Sequence, residues 1–429
     1  MAKVVIASTP AQGHVAPLLT VATDLVRRGH EVVVHTGSRF GQRAQETGAR
    51  FVPLRGLADF DERTFPGSLP GREEVPEGPE RIGFDLVHGV INPMADQYEG
   101  LRALLADFPA SVVLVDIMFL GILPISGLPR EERPTTATVG ILPPVFDSVD
   151  TAPFGTGIPP LPGEAGRARN RAMYEQMRQL TAPLQEYAAK GLADLGVQLD
   201  DSLFNFIAHA QDHYLQLTVP SFEYPRGDWP EGFRFVGALP PDPGGDFELP
   251  DWWGELTAGR PVVTVTQGTL ENNDLSALVE PTLRALAELD VTVVAATARP
   301  DGPDAVRASL GTVPANARLA GFVPFDRLLP LSDVLITNGG YGGVHAALHH
   351  GVPLVVAGES QDKPEVAARV EWSGAGVSLH SGRPGEAAIR AAVTSLLAEP
   401  TFRTRARELR AEFAGYDPLE TIAQVVETA

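Results

Sequence analysis

The chain has 429 residues, with 34 basic and 54 acidic side chains and a net charge of −20 at pH 7. So acidic a surface is unsuited to tracking a nucleic-acid backbone or an anionic membrane, so any anionic ligand has to be held by local backbone dipoles. Cysteine is absent, which excludes disulfides, thiolate metal sites and cysteine nucleophiles and fits a reducing cytoplasm, the expected location.

A hydrophobic share of 44 % and a charged share of 21 % are those of a soluble globular protein. The length exceeds one ordinary core, so two domains are expected. Residues 4–7 are too short for the core of a signal peptide, and the longest apolar run, 112–125, is interrupted by Asp116. No targeting or membrane-spanning segment is therefore expected.

The first 54 residues read as a β-α-β unit. Residues 4–7 form a short buried strand, and Ser8 to His14 a polar loop. A helix follows, with Pro17 in its first turn, Leu18, Leu19, Ala22, Leu25 and Val26 on one face, and Gly29 as its stop. Strands follow near 32–34 and 51–54. Residues 59–79 read as a Gly- and Pro-rich loop, 82–106 as a helix, and 112–116 as a strand ending in Asp116. Ligands of open parallel sheets lie beyond the carboxyl ends of the strands, which gives Asp116 either a site role or a loop-fixing one. Residues 135–141 predict another strand, 143–162 a mobile loop, 164–195 a long polar helix or a pair, and 215–220 a last strand. The stretch 221–250 is dense in proline and reads as a linker.

The alternation then restarts: strand 262–266, turn Gln267-Gly268-Thr269, helix 275–289, strand 291–296 and a further strand from 317. Residues 332–365 read as strand, glycine-rich turn, helix and strand, and helices follow at 386–399, 402–414 and 419–428. The glycines of Asn338-Gly339-Gly340-Tyr341-Gly342-Gly343 stand where strand becomes helix. There they let backbone N–H groups approach a phosphate, and the helix points its positive end at it. The pattern is neither a Walker A motif nor a strict dinucleotide fingerprint. The alternation as a whole argues an α/β fold of two Rossmann-like halves: residues 1–220, a linker at 221–250, and residues 251–414, with a last helix, about 415–429, that can pack back on the first half.

Several runs resemble the family-one glycosyltransferases of GT-B fold, above all bacterial natural-product and macrolide enzymes. In the first half they are Gly13-His14-Val15-Ala16-Pro17 and the segment from Leu25 to Val32. In the second they are Gly321-Phe322-Val323-Pro324, the turn and helix from Thr337 to Leu348, Gly351-Val352-Pro353, and Asp362-Lys363. The resemblance spans essentially the whole chain. It implies an acceptor-binding first domain and a second domain that binds a UDP- or dTDP-sugar, with no cofactor and no metal. His14 would be the general base, steadied by Asp116. Gln267, Gly268, Thr269, Phe322 and Val323 would face the donor nucleotide. Asn338, Gly340, Gly342, Gly343 and Val344 would hold the diphosphate, and Asp362 and Lys363 the sugar. Acceptor contacts are expected from Phe84, Met118, Phe119, Pro143 and Phe146. The chemistry stands by itself: an imidazole near neutral pH suits removal of a hydroxyl proton, and a carboxylate on the other ring nitrogen fixes its tautomer.

Four positions depart from the family pattern. Asn338 replaces a phosphate-contacting His, Ala346 a ribose-binding Glu, and Lys363 the Gln of an Asp-Gln pair. Phe322 also replaces a frequent Trp. The expected function is an inverting, metal-independent transfer of a hexose to a hydroxyl of a small, largely apolar acceptor by a monomer or homodimer. An epimerase of similar fold and a non-catalytic auxiliary protein are the alternatives. Asp59/Asp61 and the spaced pairs His209/His213 and His345/His349 are discounted as metal sites, and Ser360 to Lys363 as an acylating motif.

Overall fold

The computed structural model describes residues 1–76, 78–240, 247–269 and 272–429. Its first sheet has seven parallel strands: β1 (Lys3–Ala7), β2 (Glu31–Thr36), β3 (Arg50–Pro53), β4 (Val112–Asp116), β5 (Thr135–Gly140), β6 (His213–Gln216) and β7 (Phe233–Phe235). The second has six: β8 (Val262–Thr266), β9 (Thr292–Ala296), β10 (Ala317–Ala320), β11 (Val334–Thr337), β12 (Leu354–Val356) and β13 (Gly376–Ser378). The orders are β3-β2-β1-β4-β5-β6-β7 and β10-β9-β8-β11-β12-β13. Both are the doubly wound order, whose switch points lie between β1 and β4 and between β8 and β11. A crevice opens there because successive crossovers leave in opposite directions. The near-continuous Val/Ile/Leu runs of the central strands follow from burial on both faces.

The helices that bear on the site are α1 (Gln12–Arg27), α2 (Pro79–Leu86), α3 (Met94–Asp107), α4 (Gly163–Asp194), α5 (Val279–Leu286), α6 (Tyr341–His349), α7 (Lys363–Ser373) and α8 (Pro418–Thr428). One face of the first sheet packs on α1 and on Ile422, Ala423, Val425 and Val426 of α8, so the chain's end returns to its beginning. The other face packs on Leu101 and Leu104 of α3. In the second half, Val219 and Phe222, just beyond β6, insert into a core built from α6, α7 and β12.

Two expectations change. The stretch 221–250, read as a linker, contains β7, which pairs with β6 at the edge of the first sheet; residues 241–246 of that stretch lie outside the described residues. The helix expected over 82–106 is broken. A π-helical turn, Val87–Ile91, separates α2 from α3, and Pro93 sits at the start of α3, where its missing N–H costs nothing. The long helix over 164–195 is one element, α4, with Pro183 inside it. Among the described residues, no helix is long and apolar enough to cross a membrane.

Candidate active site

The first switch point brings His14 and Asp116 together. His14 lies in the first turn of α1, directly after the loop that leaves β1. Asp116 is the last residue of β4, which pairs with β1. His14 Nδ1 and Asp116 Oδ1 are 2.9 Å apart. The carboxylate is buried and also accepts the backbone N–H of Thr9 at 2.7 Å and of Met118 at 2.8 Å. It is therefore held from three sides, and it fixes the imidazole with Nδ1 as donor and Nε2 free to accept. The His14 side chain keeps 19 % exposure. Burial pulls its pKa down, but the charge and hydrogen bond of Asp116, joined by the fields of Asp362 and Glu62, carry it net above the ordinary value. Asp362 belongs to the second domain, so its influence brings that domain's loop within electrostatic reach of the imidazole. Glu62 accepts the N–H of Gln12 and caps α1.

The second switch point carries the glycine turn. Gly339 has φ +89°, and a Cβ there would lie 2.7 Å from Val356 Cγ1, so the position demands glycine. Gly340, Gly342 and Gly343 differ: a Cβ on any of them would meet nothing within 4 Å. Open space therefore faces the N-terminus of α6, whose first turn has no side-chain cap and no acid. Unpaired N–H groups and the helix dipole make that space suited to a diphosphate. Asn338 lies beside Gly268, whose Cβ position is 3.4 Å from Asn338 Oδ1. Thr269 is exposed next to it. Phe322, on the turn after β10, is 62 % exposed, an open aromatic face, while Val323 beneath it is buried. Lys363 is buried, and its Nζ donates to Ser360 Oγ at 2.8 Å and Gln361 Oε1 at 3.1 Å, which shapes the loop that carries Asp362.

Some expected site residues lie elsewhere. Gln267 is buried, and its amide oxygen accepts from the N–H of Leu278 and Val279 at 3.1 Å each, so its side chain holds the start of α5 rather than facing a donor. Phe119 is 1 % exposed and packs on His35; Phe146 is 2 % exposed, among Tyr214, Trp229 and Phe233. Pro143 is buried as well. These three are buried, because the segments leaving β4 and β5 turn their apolar side chains back under the sheet rather than into the crevice. Phe84 and Met118 stay half-buried. Phe84 stacks on His88 with centroids 4.3 Å apart, and Phe60 on Phe65 at the same spacing. A Cβ on Gly89 would lie 3.4 Å from Phe65, so the loop and the π-helical turn stand side by side as one partly open aromatic wall. Phe60, Phe65 and His88 are not among the residues the sequence reading expected at the site.

A buried lock joins the two domains behind the glycine turn. Tyr341 points inward, and its hydroxyl accepts from Gln216 Nε2 at 2.9 Å. His345 Nδ1 donates to the Tyr341 carbonyl at 2.8 Å, and its Nε2 accepts from Thr218 Oγ1 at 2.7 Å. Burial pushes the His345 pKa down to about 4, so the ring stays neutral as that pattern requires. His345 is thus occupied within the protein. Asp59 accepts from Ser38, and Asp61 pairs with Arg63 and Arg39.

A family model described as the C-terminal domain of erythromycin biosynthesis protein CIII-like proteins matches residues 280–428. The chain is 43 % identical to the 4'-demethylrebeccamycin synthase of Lentzea aerocolonigenes, over 99 % of either chain. It is 39 % identical to UDP-glycosyltransferase 2 of Phaeomoniella chlamydospora, over 99 % of this chain and 95 % of that one. The solved glycotransferase of kitacinnamycin shares its fold, with a TM-score of 0.74 at 24 % identity, over 100 % of this chain and 98 % of that one. With the paired switch-point sites, these likenesses establish that the chain belongs to the family-one glycosyltransferases of GT-B fold and is a nucleotide-sugar-dependent enzyme of the natural-product type.

Proposed function

We propose that the enzyme moves a hexose from UDP- or dTDP-sugar to a hydroxyl of a small, apolar natural product, with inversion and without a bound metal. The observation that carries the reading is the His14–Asp116 pair on one domain, facing the open glycine cradle at the start of α6 on the other. The acceptor hydroxyl gives its proton to His14 Nε2 as its oxygen bonds to the anomeric carbon. The bond from that carbon to the diphosphate oxygen breaks, and the N–H groups of Gly342 and Gly343 receive the charge, that of Val344 being given to the Gly340 carbonyl. Base and leaving-group site lie on opposite domains, so attack comes from the face opposite departure. One displacement of that kind inverts the centre.

Phe322 would lie against the base, and Asp362 would accept from sugar hydroxyls. Ala346 has no acceptor to offer a ribose 2'-hydroxyl, so the reading allows both uridine and deoxythymidine nucleotides. The aromatic wall of Phe60, Phe65, Phe84 and His88, with Met118, would take the acceptor. The test is incubation with UDP-glucose and with a dTDP-sugar against a panel of phenolic, polyketide and macrolide acceptors, with and without EDTA. Product of inverted configuration, formed equally in EDTA and lost in His14→Ala, is expected. Retained configuration, or activity that returns only with added Mg²⁺, would sink the mechanism.

A further inference from the structure

The loop between β5 and α4 leaves the sheet beside Asp116, since Asp116 pairs with Val139 of β5. Its Phe154 and the half-buried Met118 pack against the same apolar cluster beneath that end of the sheet. It then crosses to the second domain and ends on the first turn of α7, directly after Asp362 and Lys363. There the N–H groups of Gly155 and Gly157 converge on one oxygen, Glu365 Oε1, at 2.9 and 2.8 Å. Both glycines have positive φ, +91° and +60°, which is what aims two nearby amides at a single anion. The Gly157 Cβ position lies 3.2 Å from the Pro364 carbonyl oxygen, so a side chain there is crowded by α7 as well as strained by the positive φ.

The other side of Glu365 explains the convergence. Its Oε2 accepts from Arg369 Nη1 at 2.7 Å, and Arg369 Nε donates to Glu223 at 2.6 Å. All three side chains are buried. Arg369 serves Glu223 and only the Oε2 atom of Glu365, and the other buried guanidinium nearby, Arg226, lies in the field of Glu223, so Glu365 Oε1 faces no cation of its own. Buried charge is costly unless compensated, and the two loop amides supply the compensation. Undocking the loop strips one carboxylate oxygen of its partners, so the docked state is strongly favoured.

We propose that Glu365 is a positioning residue that fastens the 143–162 loop across the reaction space, excluding water and coupling donor cleavage to transfer. The proposal rests on the reading of His14 as base and α6 as diphosphate site. Gly157→Ala tests it without disturbing the buried triad, and Glu365→Gln tests it from the other side. In Gly157→Ala the amides over 154–158 are expected to exchange hydrogen about tenfold faster than in the wild type. Hydrolysis of the sugar donor relative to transfer should rise about tenfold, and acceptor KM with it, while donor KM holds. Glu365→Gln keeps an acceptor oxygen but loses the charge, so it should fall between. A general loss of fold would lower the melting temperature without changing the hydrolysis-to-transfer ratio. Exchange equal to wild type in both variants, or released amides with an unchanged ratio, overturns the clamp. If His14→Ala transfers as well as wild type, the base reading falls while the exchange of Gly155 and Gly157 still decides the clamp.

Discussion

At the scale of single residues, the chemistry turns on the charge state of one imidazole. A base must be neutral to take a proton, and His14 has its pKa held above the ordinary 6.5 by Asp116, against the opposing effect of burial. The acid limb of kcat/KM is therefore expected to have its midpoint above pH 6.5. Asp116→Asn removes the charge and leaves only a neutral amide oxygen to accept, so the limb should move to lower pH while kcat drops; a limb that stays put would detach it from His14. His14→Ala should cost roughly 10²–10⁴-fold in kcat. For stability the sign is opposite. The charged pair stabilises the fold fully below the unfolded pKa of His14, and that contribution is lost as pH rises through the raised folded value. Resemblance singled out this pair, and local sequence could not, because a strand-end Asp reads equally well as a loop-fixing residue. Thr9 and Met118 show that Asp116 is both. Phe119 and Phe146 misled for a related reason: an apolar residue just past a strand reads the same whether it turns into the crevice or under the sheet.

At the scale of elements, the glycine turn separates two kinds of glycine that the sequence presents as one motif. Gly339 is needed by the chain itself, and Gly342 by whatever fills the open space. Gly339→Ala has to bear positive φ and a contact at 2.7 Å, and should cost about 1–3 kcal/mol of stability. Gly342→Ala replaces a helical glycine without a clash and should stabilise the free protein by about 0.5–1 kcal/mol. Its methyl group stands in the diphosphate's space, so donor KM should rise several-fold. Thermal melts beside donor titrations check both; an unchanged donor KM in Gly342→Ala would move the diphosphate elsewhere. The central strands were legible because parallel strands buried on both faces need unbroken apolar runs. β7 was not: Phe233-Arg234-Phe235 is a short, partly exposed edge strand set among prolines. The break at 87–93 was also hidden, because a π-helical turn keeps nearly helical spacing while it rotates the side chains beyond it.

At the scale of the whole molecule, two similar halves are tied by more than a linker. Gln216 and Thr218 lock to α6 behind the glycine turn, Glu365 takes hold of the β5–α4 loop, and α8 returns to α1. The two-domain plan was legible because the β/α alternation restarts, but these ties were not, since each joins residues more than a hundred positions apart. The return of α8 has a consequence for catalysis. α1 carries His14 at its start, and its far end is held by Arg28, which bonds both Asp24 and Glu420 of α8. Ile422, Val425 and Val426 complete the core beneath it. Each such side chain contributes about 1.5–3 kcal/mol when fully buried. A chain ending at residue 417 should have its first unfolding transition lowered by roughly 10–35 °C, given the 2–4 °C per kcal/mol usual for domains of this size. Its kcat should fall, because α1 is no longer backed against the sheet that aligns His14 with Asp116. Binding of UDP or dTDP, measured by calorimetry, should persist, because the glycine cradle stands on the other core. Loss of nucleotide binding in step with kcat would instead mean that α8 supports both halves, and that the two sites are mechanically one.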